Sequence, residues 1–321
     1  MSVYQAERNE GLRLYFLSWI PLVLMAALLA ACLMMSQFSV KIDSLTLSAV
    51  LTGPLLTVAG LGLVSSRRIW GWRIGFVMLA IAQFGFLGTF AGLLSYIAAA
   101  AGFPLQDSNL ARLDSLLGLD WPTYYRFVMA WPALLPYAYL SYSAIIVPCL
   151  GVPLALGLLG HFVRLQQFVM ATILTTAVDV AVSSALPAIG TYSEFNLPAQ
   201  LGDFKANGYL VQLEILPVLR AGGLRVLDLA NLGGIILFPS LHAAASILAI
   251  WGFWSVWWLR PAALIVYIAM LFATPLIGGH YFVDVIAGIG VAVLSIAAAK
   301  RLSPSIPEAA PENSRPSALP A

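Results

Sequence analysis

Long uninterrupted apolar runs leave this chain few folds to choose from. Runs at about 15–35, 45–64, 74–101, 132–158, 167–187, 237–258, 262–279 and 281–299 each approach or exceed the length of a membrane-crossing helix, roughly 20 residues at ~1.5 Å rise per residue. Within hydrocarbon a backbone has to satisfy its own hydrogen bonds, so such runs predict helices. Only 9% of the residues are charged and 61% are hydrophobic, against ~25% charged in a soluble domain. The expected class is therefore an all-α integral membrane protein, a polytopic bundle of about eight transmembrane helices. A net charge of +2 and no basic run give no reason to expect a nucleic-acid partner.

Tyr15–Met35 is uncharged and no small-residue cleavage site follows it, so it reads as a retained first helix and not as a signal peptide. The fourth run carries Pro132, Pro136, Pro148 and Pro153, which predicts a kinked or broken helix. Cys32 and Cys149 both fall inside apolar runs, where packing is the expected role. With the N-terminus inside, Arg8, Arg13, Arg67, Arg68, Arg73, Arg164, Arg260, Lys300, Arg301 and Arg315 fall on the cytoplasmic side. Lys41, Arg112, Arg126, Lys205, Arg220 and Arg225 fall outside, a split of 10 to 6 among the 16 basic residues. The bias predicts both termini in the cytoplasm. The Pro-, Ala- and Ser-rich stretch 303–321 reads as a disordered tail.

Two segments outside the spans fall on the other side in this topology. In 102–131, Leu110, Leu113, Leu116 and Leu117 give a short interfacial helix one apolar face, with Asp107 as its expected N-cap. Residues 188–236 form the longest polar connection, either a functional segment or a surface linker.

Chemistry concentrates in two polar islands. Of only three histidines, His242 follows Phe238-Pro239-Ser240-Leu241, and His280 opens His280-Tyr281-Phe282-Val283-Asp284. A His and an Asp four apart share a helix face, where the carboxylate can orient the ring and raise its nucleophilicity. A second His can supply the proton that a departing oxygen needs. One out-and-back pair of spans separates the two histidines, which predicts that both lie at the same membrane face. His161 beside Arg164 reads as an interfacial charge. Asp179, within the fifth span and away from both histidines, reads as a buried hydrogen bond to another helix or as a group with a transport role.

The two islands resemble the second and third signature motifs of the type 2 phosphatidic acid phosphatase superfamily. They are closest to its inositol-phosphorylceramide-synthase-like branch, where Pro-Ser-Leu-His and His-Tyr-Phe-Val-Asp patterns are typical. The likeness is specific over about 225–300. It is weaker over 102–160, around Asp107, Asp114, Tyr139 and Tyr142, and does not reach the first two spans. The resemblance implies a six-helix catalytic membrane domain over 74–302, preceded by two added helices in 1–73 and followed by the tail 303–321. It implies His280 as nucleophile on phosphorus, Asp284 as its orienting carboxylate and His242 as proton donor. The Pro239–Ser240 turn would offer donors to phosphate oxygens, and no metal or other cofactor is implied. Lipids of the membrane are the implied substrates.

Two departures from the superfamily pattern carry information. Where it has a Ser-Arg pair before the second histidine, this chain has Ala273 and Thr274. Its Lys-and-Arg-Pro motif is also absent, since Arg260-Pro261 and Arg315-Pro316 fall at the wrong face. Arg220 and Arg225 become the candidate phosphate cations. Fewer cations favour a monoanionic diester over a dianionic monoester, so the expectation is transfer of a phosphate-linked head group to a lipid hydroxyl. The alternatives are a lipid phosphate phosphatase, a bis-histidine haem protein using His242 and His280, and a transporter.

Overall fold

Each apolar run becomes helix, and polar or Pro/Gly punctuation decides where the helices start and stop. The computed structural model describes residues 3–303, so Arg315 and the tail expected beyond Ser303 lie outside the described residues. In chain order come α1 (Val3–Met35), β1 (Ser39–Val40), α2 (Ser44–Val64), α3 (Ile69–Ala99), α4 (Asp107–Leu116), α5 (Trp121–Met129), α6 (Leu135–Ser143), α7 (Val147–Leu159) and α8 (Phe162–Ala185). Then follow α9 (Thr191–Glu194), β2 (Gln200–Leu201), β3 (Phe204–Lys205), α10 (Asn207–Arg220), β4 (Val226–Leu227), α11 (Leu241–Phe253), α12 (Arg260–Ile277) and α13 (Phe282–Arg301). The protein is an all-α polytopic membrane bundle, and among the described residues only two-residue strands interrupt it.

Seven segments of the described chain are long and apolar enough to cross a bilayer. The run at 237–258 is the exception to the eight expected. Ser240 caps the helix only at Leu241, so α11 has 13 residues, or about 20 Å at ~1.5 Å per residue. The residues before it stay non-helical. The fourth run breaks as its prolines predict, with a 3₁₀ turn at Ala144–Ile146 between α6 and α7. Pro136 and Pro148 stand in the first turns of those two helices, where a missing amide costs nothing.

Polar contacts sort the loops into two ends of the bundle. At one end Arg13 donates to the carbonyl of Leu302 at 2.5 Å, Ser303 donates to Glu10 at 2.7 Å, and Arg164 donates to the Trp251 carbonyl at 2.8 Å. At the other end β1 pairs in parallel with β4, and Lys41 meets Asp228 at 2.8 Å. These contacts follow the alternation expected of successive spans.

The main core joins Tyr15 and Leu22 of α1, Phe76 and Leu79 of α3, Phe162 and Phe168 of α8, Leu248 of α11 and Met270 of α12. Helices in lipid associate through close packing of small residues. Between α2 and α3, a methyl added at Gly75 would lie 2.8 Å from the carbonyl oxygen of Gly60, so only glycine allows that approach.

A second, aromatic cluster of Trp121, Tyr125, Tyr192 and Tyr209 sits over the end of α12. The last carbonyls of a helix lack partners of their own. Here Trp121 donates to the carbonyl of Pro275 at 3.1 Å and Tyr192 to that of Leu276 at 2.6 Å, while Tyr124 donates to that of Phe272. The 188–236 connection is therefore folded structure, and it clamps the turn that leads into His280.

Candidate active site

The turn after α12 fixes where His280 points. Gly279 adopts φ +65°, and a methyl there would lie 2.9 Å from Tyr209, so both the conformation and the close approach require glycine. Its carbonyl accepts from the Thr191 amide at 2.9 Å. His280 emerges 3% exposed, immediately before α13. Oδ2 of Asp284 then accepts from the Tyr281 amide at 2.9 Å and faces Nδ1 of His280 at 3.3 Å. With Asp284 ionised the carboxylate only accepts, so the ring proton would sit on Nδ1 and the Nε2 lone pair would point away from Asp284. That nitrogen lies 3.4 Å from Oγ of Ser240. The other carboxylate oxygen of Asp284 is buried without a hydrogen-bond partner among the described residues.

His242 comes to the same place from α11. Oγ of Ser240 accepts from the Ala243 amide at 3.4 Å and so caps that helix. The Ser240 amide donates at 3.0 Å to the backbone carbonyl of Asp284. One turn further along α13, Gly288 lies against the Ser240 carbonyl with no room for a side chain. The His242 ring stacks on Tyr142, with centroids 3.9 Å apart and planes 10° from parallel. His242 and His280 both border one cavity of about 700 Å³. Its remaining wall is mainly apolar and includes Gly85, Gly88 and Ala91 of α3, Ile145, Cys149 of α7 and the stretch Gly233–Leu237. No Lys or Arg is among the described residues lining it.

Two aspartates of α4 hold this arrangement from outside. Asp107 is not the cap of its own helix: Gln106 occupies that position without a side-chain bond. The Asp107 carboxylate instead accepts from the Ile189 and Gly190 amides at 3.0 and 2.7 Å, and from the Tyr281 hydroxyl at 3.0 Å. Asp114 accepts from the Phe282 and Val283 amides at 2.8 and 2.7 Å, which serves the otherwise unpaired first turn of α13. Burial pushes the Asp114 carboxyl above its ordinary range, and the two amide donors only partly offset it. Of the leucines expected on one face of α4, Leu110 is buried, whereas Leu113, Leu116 and Leu117 are exposed.

The structure thus gathers His280, Asp284, His242 and Ser240. The two arginines sit elsewhere. Arg220 donates to the carbonyl of Phe103 at 2.8 Å, and Arg225 lies over the Phe38 ring at 4.7 Å. Neither lines the cavity, because α10 and β4 turn their guanidinium groups toward neighbouring loops. The Ser240 amide, expected to face phosphate, is occupied by the Asp284 carbonyl. Asp179 is fully buried, and both its oxygens lack hydrogen-bond partners among the described residues, so the bond to another helix expected of it is not made. His161 is exposed, and Cys32 and Cys149 are free thiols. Sequence reasoning gave no role to Asp114, and it mentioned Tyr142 only within a weak likeness. An Asp in a short amphipathic helix and a Tyr among apolar neighbours carry no local signal of long-range contact.

A membrane bundle that sets two histidines on one cavity, with an aspartate behind one of them, defines a class, and comparison supplies the family. A family model described as the PAP2 superfamily matches residues 108–298, so the chain belongs to the PAP2 superfamily. That membership supports phosphatase-type enzyme activity in general. No curated protein and no solved structure gives a significant match. Helices α1 to α3 precede the matched residues, yet α3 supplies one wall of the cavity.

Proposed function

We propose that this protein is a membrane-embedded lipid phosphotransferase, of the inositol-phosphorylceramide-synthase-like kind, that moves a phosphate-linked head group onto a lipid hydroxyl. The observation that carries the reading is the His280–Asp284 pair, 3.3 Å apart, opening with His242 on a single apolar cavity. Nε2 of His280 attacks phosphorus, and the bond from phosphorus to the lipid oxygen breaks. His242, protonated, gives its proton to that departing oxygen. The head group is now held as a phosphohistidine-type adduct, and the imidazolium charge is matched by Asp284. The acceptor hydroxyl then attacks phosphorus, His242 takes its proton, and the nitrogen–phosphorus bond breaks. Asp284 keeps the ring in the reactive tautomer throughout, so most of the gain comes from positioning and charge matching.

The lack of Lys and Arg among the described cavity-lining residues supports a diester over a monoester. A dianionic phosphate in an apolar cavity without a cation carries a large desolvation penalty. A monoanion demands less, and one imidazolium balances it. The basic residues favour cytoplasmic termini, which puts the site at the non-cytoplasmic face.

The test is lipid mass spectrometry of cells carrying the wild type or His280→Ala, followed by assay of purified protein in mixed micelles. A lipid class made only by the wild type, and head-group transfer to an added lipid alcohol, are expected. Efficient dephosphorylation of phosphatidic acid with no transfer overturns the transferase reading in favour of a phosphatase.

A further inference from the structure

We infer that Tyr142 completes the phosphate site: its ring holds His242 in place, and its hydroxyl donates to a phosphoryl oxygen poised on His280. The inference rests on the reading of His280 as the group that meets phosphorus. Three observations carry it. The Tyr142 ring lies flat against His242, at 3.9 Å between centroids and 10° between planes. Its hydroxyl reaches the turn before His280: a methyl added at Gly278 would lie 2.8 Å from that hydroxyl and 2.6 Å from Cδ2 of His280. Tyr142 also borders the cavity together with both histidines. One side chain therefore spans from the proton donor to the nucleophile.

The chemistry has a gap that this residue fits. The cavity has no Lys or Arg among its described lining residues, yet any phosphorus bound there exposes non-bridging oxygens that need donors. A phenol is a neutral donor that suits a monoanionic diester, and in a dry site a hydrogen bond to a charged oxygen is stronger than in water. Face-to-face packing also limits His242 to one plane, which aims its proton at the departing oxygen. The neighbouring Tyr139 does not share the role, since it does not border the cavity and its hydroxyl lies against Asn207 at 2.6 Å.

The experiment uses the full chain in detergent, with orthovanadate as the phosphate-like probe and calorimetric titration as the readout. Tyr142→Phe keeps the ring and removes the hydroxyl; Tyr142→Leu removes both; His280→Ala is the control. The wild type is expected to bind vanadate, His280→Ala to lose binding, and Tyr142→Phe to bind about 10- to 100-fold more weakly, as for a lost bond to a charged group. In turnover, Tyr142→Phe should lower kcat/KM without changing the shape of the pH profile, while Tyr142→Leu should also move the limb that reports His242. Wild-type vanadate affinity in Tyr142→Phe, with binding lost in His280→Ala, overturns the role of Tyr142 and leaves His280 standing. Undiminished binding in His280→Ala, or none in the wild type, overturns the underlying site and this inference with it.

Discussion

The backbone amide of Ser240 donates to the backbone carbonyl of Asp284 at 3.0 Å, while the side chain of the same aspartate faces His280 at 3.3 Å. One residue thus ties the cap of the His242 helix to the orientation of the other imidazole. Gly288 reinforces the tie by letting α13 press against the Ser240 carbonyl. The two polar islands are joined directly, which matters because a shift of about 1 Å in a reacting group can cost on the order of 100-fold in rate.

Asp284→Asn tests that link. The amide is nearly isosteric and keeps an oxygen to accept from the Tyr281 amide, so the fold should persist. Oδ2 alone meets both the Tyr281 amide and His280, so the Asn oxygen can take over both contacts, and the amide nitrogen replaces the unpartnered oxygen. What is lost is the negative charge that matches the His280 imidazolium, and kcat should fall by about 10²- to 10⁴-fold. Steady-state kinetics beside a thermal melt reads the outcome. Wild-type turnover in this variant would remove Asp284 from the mechanism.

Asp114 makes stability depend on pH. Its folded-state pKa is raised by burial, so its stabilising contribution is fully present below the ordinary Asp value and is lost as pH rises through the raised folded value. Comparing apparent Tm of the wild type and Asp114→Asn in detergent between about pH 3 and 7 isolates this group. The wild type should lose more with rising pH than the variant does. The variant should be less stable at the low end, because one amide oxygen cannot serve both the Phe282 and Val283 amides. Parallel curves would sink the assignment.

Much of this was written in the local sequence. The apolar runs foretold the bundle, and the four prolines foretold the break between α6 and α7. His280 and Asp284 do face each other, but not along one helix face as expected: His280 lies in the non-helical turn before α13, and Asp284 in its first turn. What stayed hidden depends on distance along the chain. Asp107 looked like a helix cap because caps are local, whereas its partners at Ile189 and Gly190 lie far downstream. The span expected at 237–258 shortened because hydropathy does not register that Gly233–Ser240 can stay irregular when buried against a cavity. Tyr142 was nearly silent, since nothing near it in sequence signals a histidine a hundred residues on.

Arg220 and Arg225 offer a direct check on where phosphate charge is balanced. Both guanidinium groups are engaged outside the cavity. Replacing each by Ala should leave KM for the lipid donor within roughly threefold of wild type, less than 1 kcal/mol. A rise of 100-fold or so in KM, with the fold intact, would mean that one of them swings in to meet substrate.

The α3 wall sets up the last prediction, which concerns the length of the lipid chain. Gly85 and Gly88 both border the cavity, and a methyl at either meets nothing within 4 Å, so their missing side chains leave open space. Ile81 to Ser95 lines the cavity along α3, a length of about 21 Å at ~1.5 Å per residue. That is room for an extended hydrocarbon chain to run beside the helix while its head group meets His280. Gly88→Phe should fill the middle of this path without touching either histidine. Crowding of even one methylene against a filled pocket is worth about 10-fold or more. The ratio of kcat/KM for long-chain over short-chain donors should therefore drop by at least that factor, with the short-chain rate nearly unchanged. Equal losses on both donors would point to a damaged fold instead, and no loss on either would place the lipid chain outside this cavity.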